Sequence, residues 1–178
     1  MSQPFNIARL IAACESWRDT PFCPNSQVKG AGVCCHKFCG AAYMEAGWLP
    51  SFGLPDGYPY GSDTATVSPF EVWLDASPLF ANREGEMQAG DLILSKPSRL
   101  PWHLAIYLGD GVFAHVDLRQ GVQITNAFPD VWAKRIVRVY RPVVMQGGFT
   151  SGHSEHSVVG LVSTETVWPK SVVDRYTQ

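Results

Sequence analysis

The 178-residue sequence predicts an α+β fold in which helices come first and a mostly antiparallel sheet of about five or six strands follows. Three observations carry this. Apolar residues recur at three-to-four spacing in the first third of the chain. From Asp91 onward, runs of β-branched and aromatic residues alternate with turn residues. A composition of 46% hydrophobic and 12% aromatic residues supplies one sizeable core, and the length demands no second one. The expectation is a single domain over residues 1–178, with 145–178 as a C-terminal extension.

In chain order, Pro4 to Trp17 reads as an amphipathic helix with Ile7, Leu10, Ile11, Cys14 and Trp17 on one stripe. Arg18 to Pro24 breaks it, and a turn-rich loop from Pro24 to Gly32 leads to a second helix. That helix opens at Cys35, carries Phe38, Ala41, Ala42, Tyr43 and Ala46 on its buried face, and should stop near Gly47. Leu49 to Pro69 is rich in proline, glycine and aromatic residues without periodicity, as expected of a surface excursion beside a cleft. A short helix over Pro69–Ala76 precedes another loop. Strands are expected over 91–95, 103–108, 112–116, 121–125 and 135–140, arranged as a meander, with Gly109-Asp110-Gly111 as a hairpin turn. Met145 to Glu155 is rich in Gly and Ser, and Val158 to Gln178 is either an edge strand or a surface wrap.

Charge and cysteine usage exclude several function classes. Fourteen Lys and Arg against sixteen Asp and Glu give a net charge of -2 without a dense basic run, which argues against nucleic acid or an anionic membrane as partner. The start, Met-Ser-Gln-Pro-Phe-Asn, lacks the basic and apolar regions of a signal peptide. The chain is therefore expected in the cytoplasm as synthesised, or at the cell wall by a phage-type or other non-classical route. Five cysteines, four of them between Cys23 and Cys39, are an odd number and fit reduced thiols better than a disulfide framework. Zinc binding by Cys23, Cys34, Cys35, His36 and Cys39 is disfavoured, because there is no Cys-x-x-Cys pair and adjacent Cys34 and Cys35 project differently. Oligomeric state is left open.

The candidate chemistry centres on Cys35. In the first turn of a helix, unpaired N–H groups and the positive dipole end favour thiolate over thiol. Such a nucleophile needs an imidazole, and that imidazole needs an orienting partner. His103 begins one strand and His115 lies near the end of the next, twelve residues on (115 − 103), so an antiparallel hairpin can bring them together. Cys35 would attack, His103 would act as general base and then acid, and His115 would orient His103. Cys14 and Cys39 read as small buried hydrophobes. His153 and His156 read as surface residues.

Four segments in order resemble the NlpC family of papain-like cysteine peptidases. They are Trp17-Arg-Asp-Thr-Pro-Phe22, Gly32-Val33-Cys34-Cys35, Ala89-Gly90-Asp91-Leu92-Ile93, and the run from His103 through Gly109-Asp-Gly111 to His115. The resemblance spans roughly residues 5 to 142 and is greatest to the form found in phage tails and prophages, whose closing segment is echoed by Trp132 to Pro142. It implies a papain-like fold with the nucleophile helix packed on the sheet, a Cys35-His103-His115 site, no metal or organic cofactor, and hydrolysis of a bacterial cell-wall stem peptide between D-glutamate and a diamino acid. The family's aspartate before the cysteine and small residues after it, which help bind the stem peptide's free amine, are here Cys34, His36 and Lys37. The tyrosine that many members carry after Thr-Pro is here Phe22. Cys34, His36, Phe22 and Trp102 are the substrate-contact candidates. The alternatives are a papain-like amidase or acyltransferase on another substrate, and a catalytically impaired binding module.

Overall fold

In the computed structural model the described residues are 5–53, 68–97, 101–126 and 134–143. Pro4, most of the excursion between Leu49 and Pro69, and the extension 145–178 lie outside them. The centre of the fold is α2 (Cys35–Glu45), which is buried on nearly every side, through Cys35, His36, Phe38, Cys39, Gly40, Ala41, Ala42 and Tyr43. A helix with so many small residues can be surrounded: α1 (Ile7–Ser16), α3 (Pro69–Ala76) and the sheet share one core with it.

Asn6 caps α1 by accepting a hydrogen bond from the Arg9 amide at 3.2 Å. Its buried face is Leu10, Ala13, Cys14 and, just past the helix, Trp17, an i, i+3, i+4, i+7 set. Ile11, expected on this stripe, is 37% exposed instead, because it lies about 100° round the helix from Leu10 and Ala13 takes the inner position. The Trp17 indole donates to Glu45 Oε1 at 3.0 Å, joining the end of α1 to the end of α2. The second helix ends where expected, with Gly47 at φ 73°. Ser68 caps α3 through the Glu71 amide, with Pro69 in the first turn.

The loop expected between Pro24 and Gly32 holds a small hairpin, β1 (Gln27–Val28) with β2 (Gly32–Val33). The main sheet comprises β3 (Phe80–Arg83), β4 (Leu92–Ser95), β5 (His103–Gly109), β6 (Val112–Asp117), β7 (Gly121–Thr125) and β8 (Ile136–Pro142), in the order β3-β8-β4-β5-β6-β7, all neighbours antiparallel. Four consecutive strands form the expected meander. The fifth does not continue it, since β8 crosses back to pair with β4, whose four residues are all buried and which therefore needs a partner on each side. A strand was missed at β3, in the stretch expected to be loop; its one β-former is Phe80, and its pairing with β8 supplies the rest. The β5–β6 turn is the expected Gly109-Asp110-Gly111, all three at positive φ (98°, 49° and 75°).

One ion pair fixes the β4–β8 side of the sheet. The Asp91 carboxylate, 1% exposed, accepts from Arg141 Nε at 2.8 Å and Nη2 at 2.9 Å, and from the Gln88 amide at 2.8 Å. Arg141→Met should cost about 3 kcal/mol, because it leaves a buried charge without its cation; denaturant midpoints of the two chains measure this. Among the described residues no helix is long and apolar enough to cross a membrane.

Candidate active site

Cys35 is the first residue of α2, and Cys34, at φ -104° and ψ 166°, is its N-cap and makes no side-chain capping bond. Strand β2 delivers this junction: the Val33 amide donates to the Pro21 carbonyl at 2.9 Å and the Cys23 amide to the Val33 carbonyl at 3.1 Å. The approach to Cys35 is thus tied to the segment after α1. That segment is tied in turn to the sheet, through Asp19 N–H to the Val122 carbonyl at 3.0 Å and Val122 N–H to the Thr20 carbonyl at 2.9 Å.

The Cys35 sulfur reaches the start of β5. Its thiol donates to the Trp102 carbonyl at 3.7 Å, and the Leu104 N–H bears on the sulfur from the other side of His103. In the β5–β6 hairpin Ala105 lies opposite His115, so His103 and His115 share a face as diagonal neighbours. Their ring centroids are 5.4 Å apart and the rings nearly perpendicular, at 81°. The structure therefore brings Cys35, His103 and His115 to one end of the hairpin.

The other candidates form the surroundings. Cys34 and His36 are enclosed, 0% and 1% exposed, and face each other, with Cys34 Sγ 3.4 Å from His36 Nδ1 and 3.8 Å from Nε2. Phe70 of α3 lies between His36 and Trp102, at 5.5 Å and 6.2 Å between ring centroids. Trp102 is 8% exposed, and Phe22 is half-buried and bridges to Val33. Among the described residues no three His, Cys, Asp or Glu side chains are placed to hold a metal ion.

Sequence reasoning missed three polar residues here. Ser95 lies directly across from His103 on β4 and is wholly buried. Gln123 lies across from His115 on β7. Asp117 follows His115 by two residues, and the period-two alternation of a strand was the signal that could have found it.

Electrostatically the site rests neutral, contrary to the thiolate expected at a helix start. Burial pushes the Cys35 thiol up to about 12, against the pull of the Leu104, His36 and Cys35 N–H groups, so desolvation outweighs the helix end. Burial likewise pushes His103 down to about 3; His115 adds to the shift and Asp117 opposes it. His115 is lowered by burial, again opposed by Asp117. These shifts set a pH dependence of stability. Below the ordinary histidine value of 6.5 the unfolded chain takes up protons that the buried rings refuse, so stability should fall as pH drops from 6.5 toward 3. Above 9.0 the unfolded chain releases thiol protons that folded Cys35 and Cys14 retain, so stability should fall again as pH rises toward 12. Urea midpoints across pH measure both limbs, and His103→Gln should make the acid limb shallower.

The NlpC/P60 family model matches residues 58–141, a stretch that carries His103 and His115 and begins after Cys35. No curated protein matches the chain. Among solved structures, an NlpC/P60 family protein from Bacillus cereus superposes with a TM-score of 0.51 at 17% identity, covering 77% of this chain and 40% of that one. The NlpC/p60 domain of the peptidoglycan hydrolase SagA gives 0.48 at 16% identity, covering 75% of this chain and 97% of that one. A Staphylococcus aureus protein described as similar to lipoprotein, NLP/P60 family, gives 0.49 at 18%, covering 77% and 41%. The chain thus spans about two fifths of the Bacillus and Staphylococcus proteins. At these identities the likeness is one of fold, three helices and a six-stranded antiparallel sheet of papain-like type. The family model covers 84 of the 178 residues, a little under half of the chain, so the chain is similar to NlpC/P60 proteins over that stretch and in fold.

Proposed function

We propose that the chain is a cysteine peptidase acting on a peptide or isopeptide amide of bacterial cell wall, with Cys35 as nucleophile, His103 as base and acid, and His115 as its orienting partner. At family level NlpC/P60 chains read as cysteine peptidases or hydrolases, and this proposal is that reading applied to the present site. The observation that carries it is the Cys35 sulfur held at the start of β5, the strand that His103 begins, together with the 5.4 Å between the His103 and His115 rings.

From a neutral resting state the steps balance as follows. As the sulfur adds to the amide carbon, the thiol proton leaves the Trp102 carbonyl and passes to the ring of His103. The carbonyl oxygen takes the negative charge and meets the backbone N–H of Cys35 at the helix start, a position that needs no side-chain donor. Collapse breaks the C–N bond, and His103 gives its proton to the departing amine. Water then adds to the thioester with its proton going to His103, and Cys35 is regenerated as thiol with a carboxylic acid product. A weakly basic His103 makes separate ionisation costly in the closed cleft, so proton transfer accompanies bond formation.

A second reading, an amidase or acyltransferase on a substrate lacking a free amine, is favoured by one feature. Cys34 and His36 stand at the positions where the resemblance puts amine binding, as a buried thiol and imidazole in contact, neither of them a carboxylate. Incubation with defined stem-peptide fragments, with and without a free amino-terminal alanine, tests both. Cleavage of either fragment at an amide, lost in Cys35→Ala, supports peptidase action, and cleavage of the blocked fragment alone favours the second reading. Cleavage that persists in Cys35→Ala refutes the site.

A further inference from the structure

We propose that Asp117 is a positioning residue of this site, its carboxylate setting the charge and ring orientation of His115 and, through it, of His103. The inference rests on the Cys35-His103-His115 reading and adds a fourth member that neither the family match nor the sequence motifs assign.

The placement follows from the hairpin. Ala105 faces His115, and carrying that register on by two residues brings His103, first of β5, level with Asp117, last of β6. Residues two apart on a strand share a face, so Asp117 stands beside His115 and across from His103 on the histidines' side of the hairpin. The charge acts in the corresponding direction. Asp117 opposes the burial that depresses both rings, and although its own partial desolvation works the other way, the Arg119 and Gln120 amides and His115 hold its carboxyl below its ordinary value.

Asp117 is also fixed rather than free to swing. Its Oδ1 accepts from the Arg119 amide at 2.7 Å and the Gln120 amide at 2.9 Å, in the turn that leads into β7. A half-buried carboxylate so anchored presents negative charge to the histidine pair without side-chain reorganisation. The described groups near the pair include Cys35 from α2, Ser95 from β4 and Gln123 from β7, with Arg119 from the turn beside Asp117. In a relay of two imidazoles, a carboxylate at the far end favours the tautomer in which each ring holds its proton away from the nucleophile, leaving the ring nearest sulfur ready to accept.

The bland alternative is that Asp117 serves only the turn. Asp117→Asn separates the two roles, since the amide oxygen still accepts from Arg119 and Gln120 while the charge is gone. In the full-length protein, NMR titration of the histidine side chains should show the His115 midpoint moving to lower pH in Asp117→Asn, the shift shrinking at high salt. With the cleavable fragment identified above, kcat should fall about tenfold with KM and melting temperature unchanged. Asp117→Ala should lose stability in addition. An unmoved His115 midpoint in Asp117→Asn, or losses in both variants that follow melting temperature alone, would overturn the proposal. If the wild type cleaves no amide, the catalytic reading fails by itself, and the titration still decides whether Asp117 governs His115.

Discussion

Cys35→Ala is expected to abolish amide hydrolysis, and His103→Gln to lower kcat by about 10²–10⁴, the usual contribution of a positioned general base. Both expectations come from where protons sit in the resting site. The thiol is held protonated by burial and by its contact with the Trp102 carbonyl, so sulfur becomes a useful nucleophile only as its proton departs. His103, carried on the backbone that flanks the sulfur on both sides, is the acceptor in the proposed mechanism. Removing it should therefore lower kcat more than it changes KM. The fold should survive, since Cys35→Ala removes one sulfur atom from the core at a cost of about 1 kcal/mol. Cys39→Ala is the control. Cys39 is wholly buried one turn along α2, its thiol raised well above its ordinary value by burial, and its replacement should leave turnover intact. Chromatography of the released peptide, with melting curves alongside, measures all three.

Gly121→Ala should cost about 3 kcal/mol, roughly 10 °C in melting temperature for a chain of this size. Two causes add. Gly121 has φ 75°, where an L side chain is strained by about 1–2 kcal/mol. A Cβ there would also lie 2.2 Å from the Thr20 carbonyl oxygen and 2.8 Å from its carbon, so backbone rather than a pliant side chain must yield. That backbone is the segment that bonds to Val122 and then leads through Pro21 to Val33 and Cys35, so activity should fall further than stability alone accounts for. Gly30→Ala separates the causes. Its φ is 77° but nothing lies within 4 Å of a Cβ, so only the conformational part, about 1 kcal/mol, should appear.

Local signals made most of the architecture legible. The short helix expected over Pro69–Ala76 is α3 with those bounds, and Gly109-Asp110-Gly111 located the hairpin that carries His103 and His115. What escaped was set by tertiary pairing. The return of β8 to β4 is decided by the open edge of a buried strand, and β3 owes its extended form to β8 rather than to its own residues. At the site, positions were legible and environment was not. A helix start alone argues for thiolate, yet Cys35 is buried in the folded chain, and the resulting desolvation reverses the balance. Likewise His36, a substrate-contact candidate in the sequence, is a buried neighbour of Cys34.

The most direct measurement is the alkylation of individual cysteines by iodoacetamide, mapped by mass spectrometry across pH in a Cys23→Ser background, which removes the exposed thiol. Cys35 retains 5% exposure where Cys14, Cys34 and Cys39 have none, and its sulfur reaches the start of β5. It should be modified first, and its rate should drop in His103→Gln. Modification of Cys34 or Cys39 ahead of Cys35, or a Cys35 rate indifferent to His103, would contradict a thiol–imidazole couple at the tip of α2.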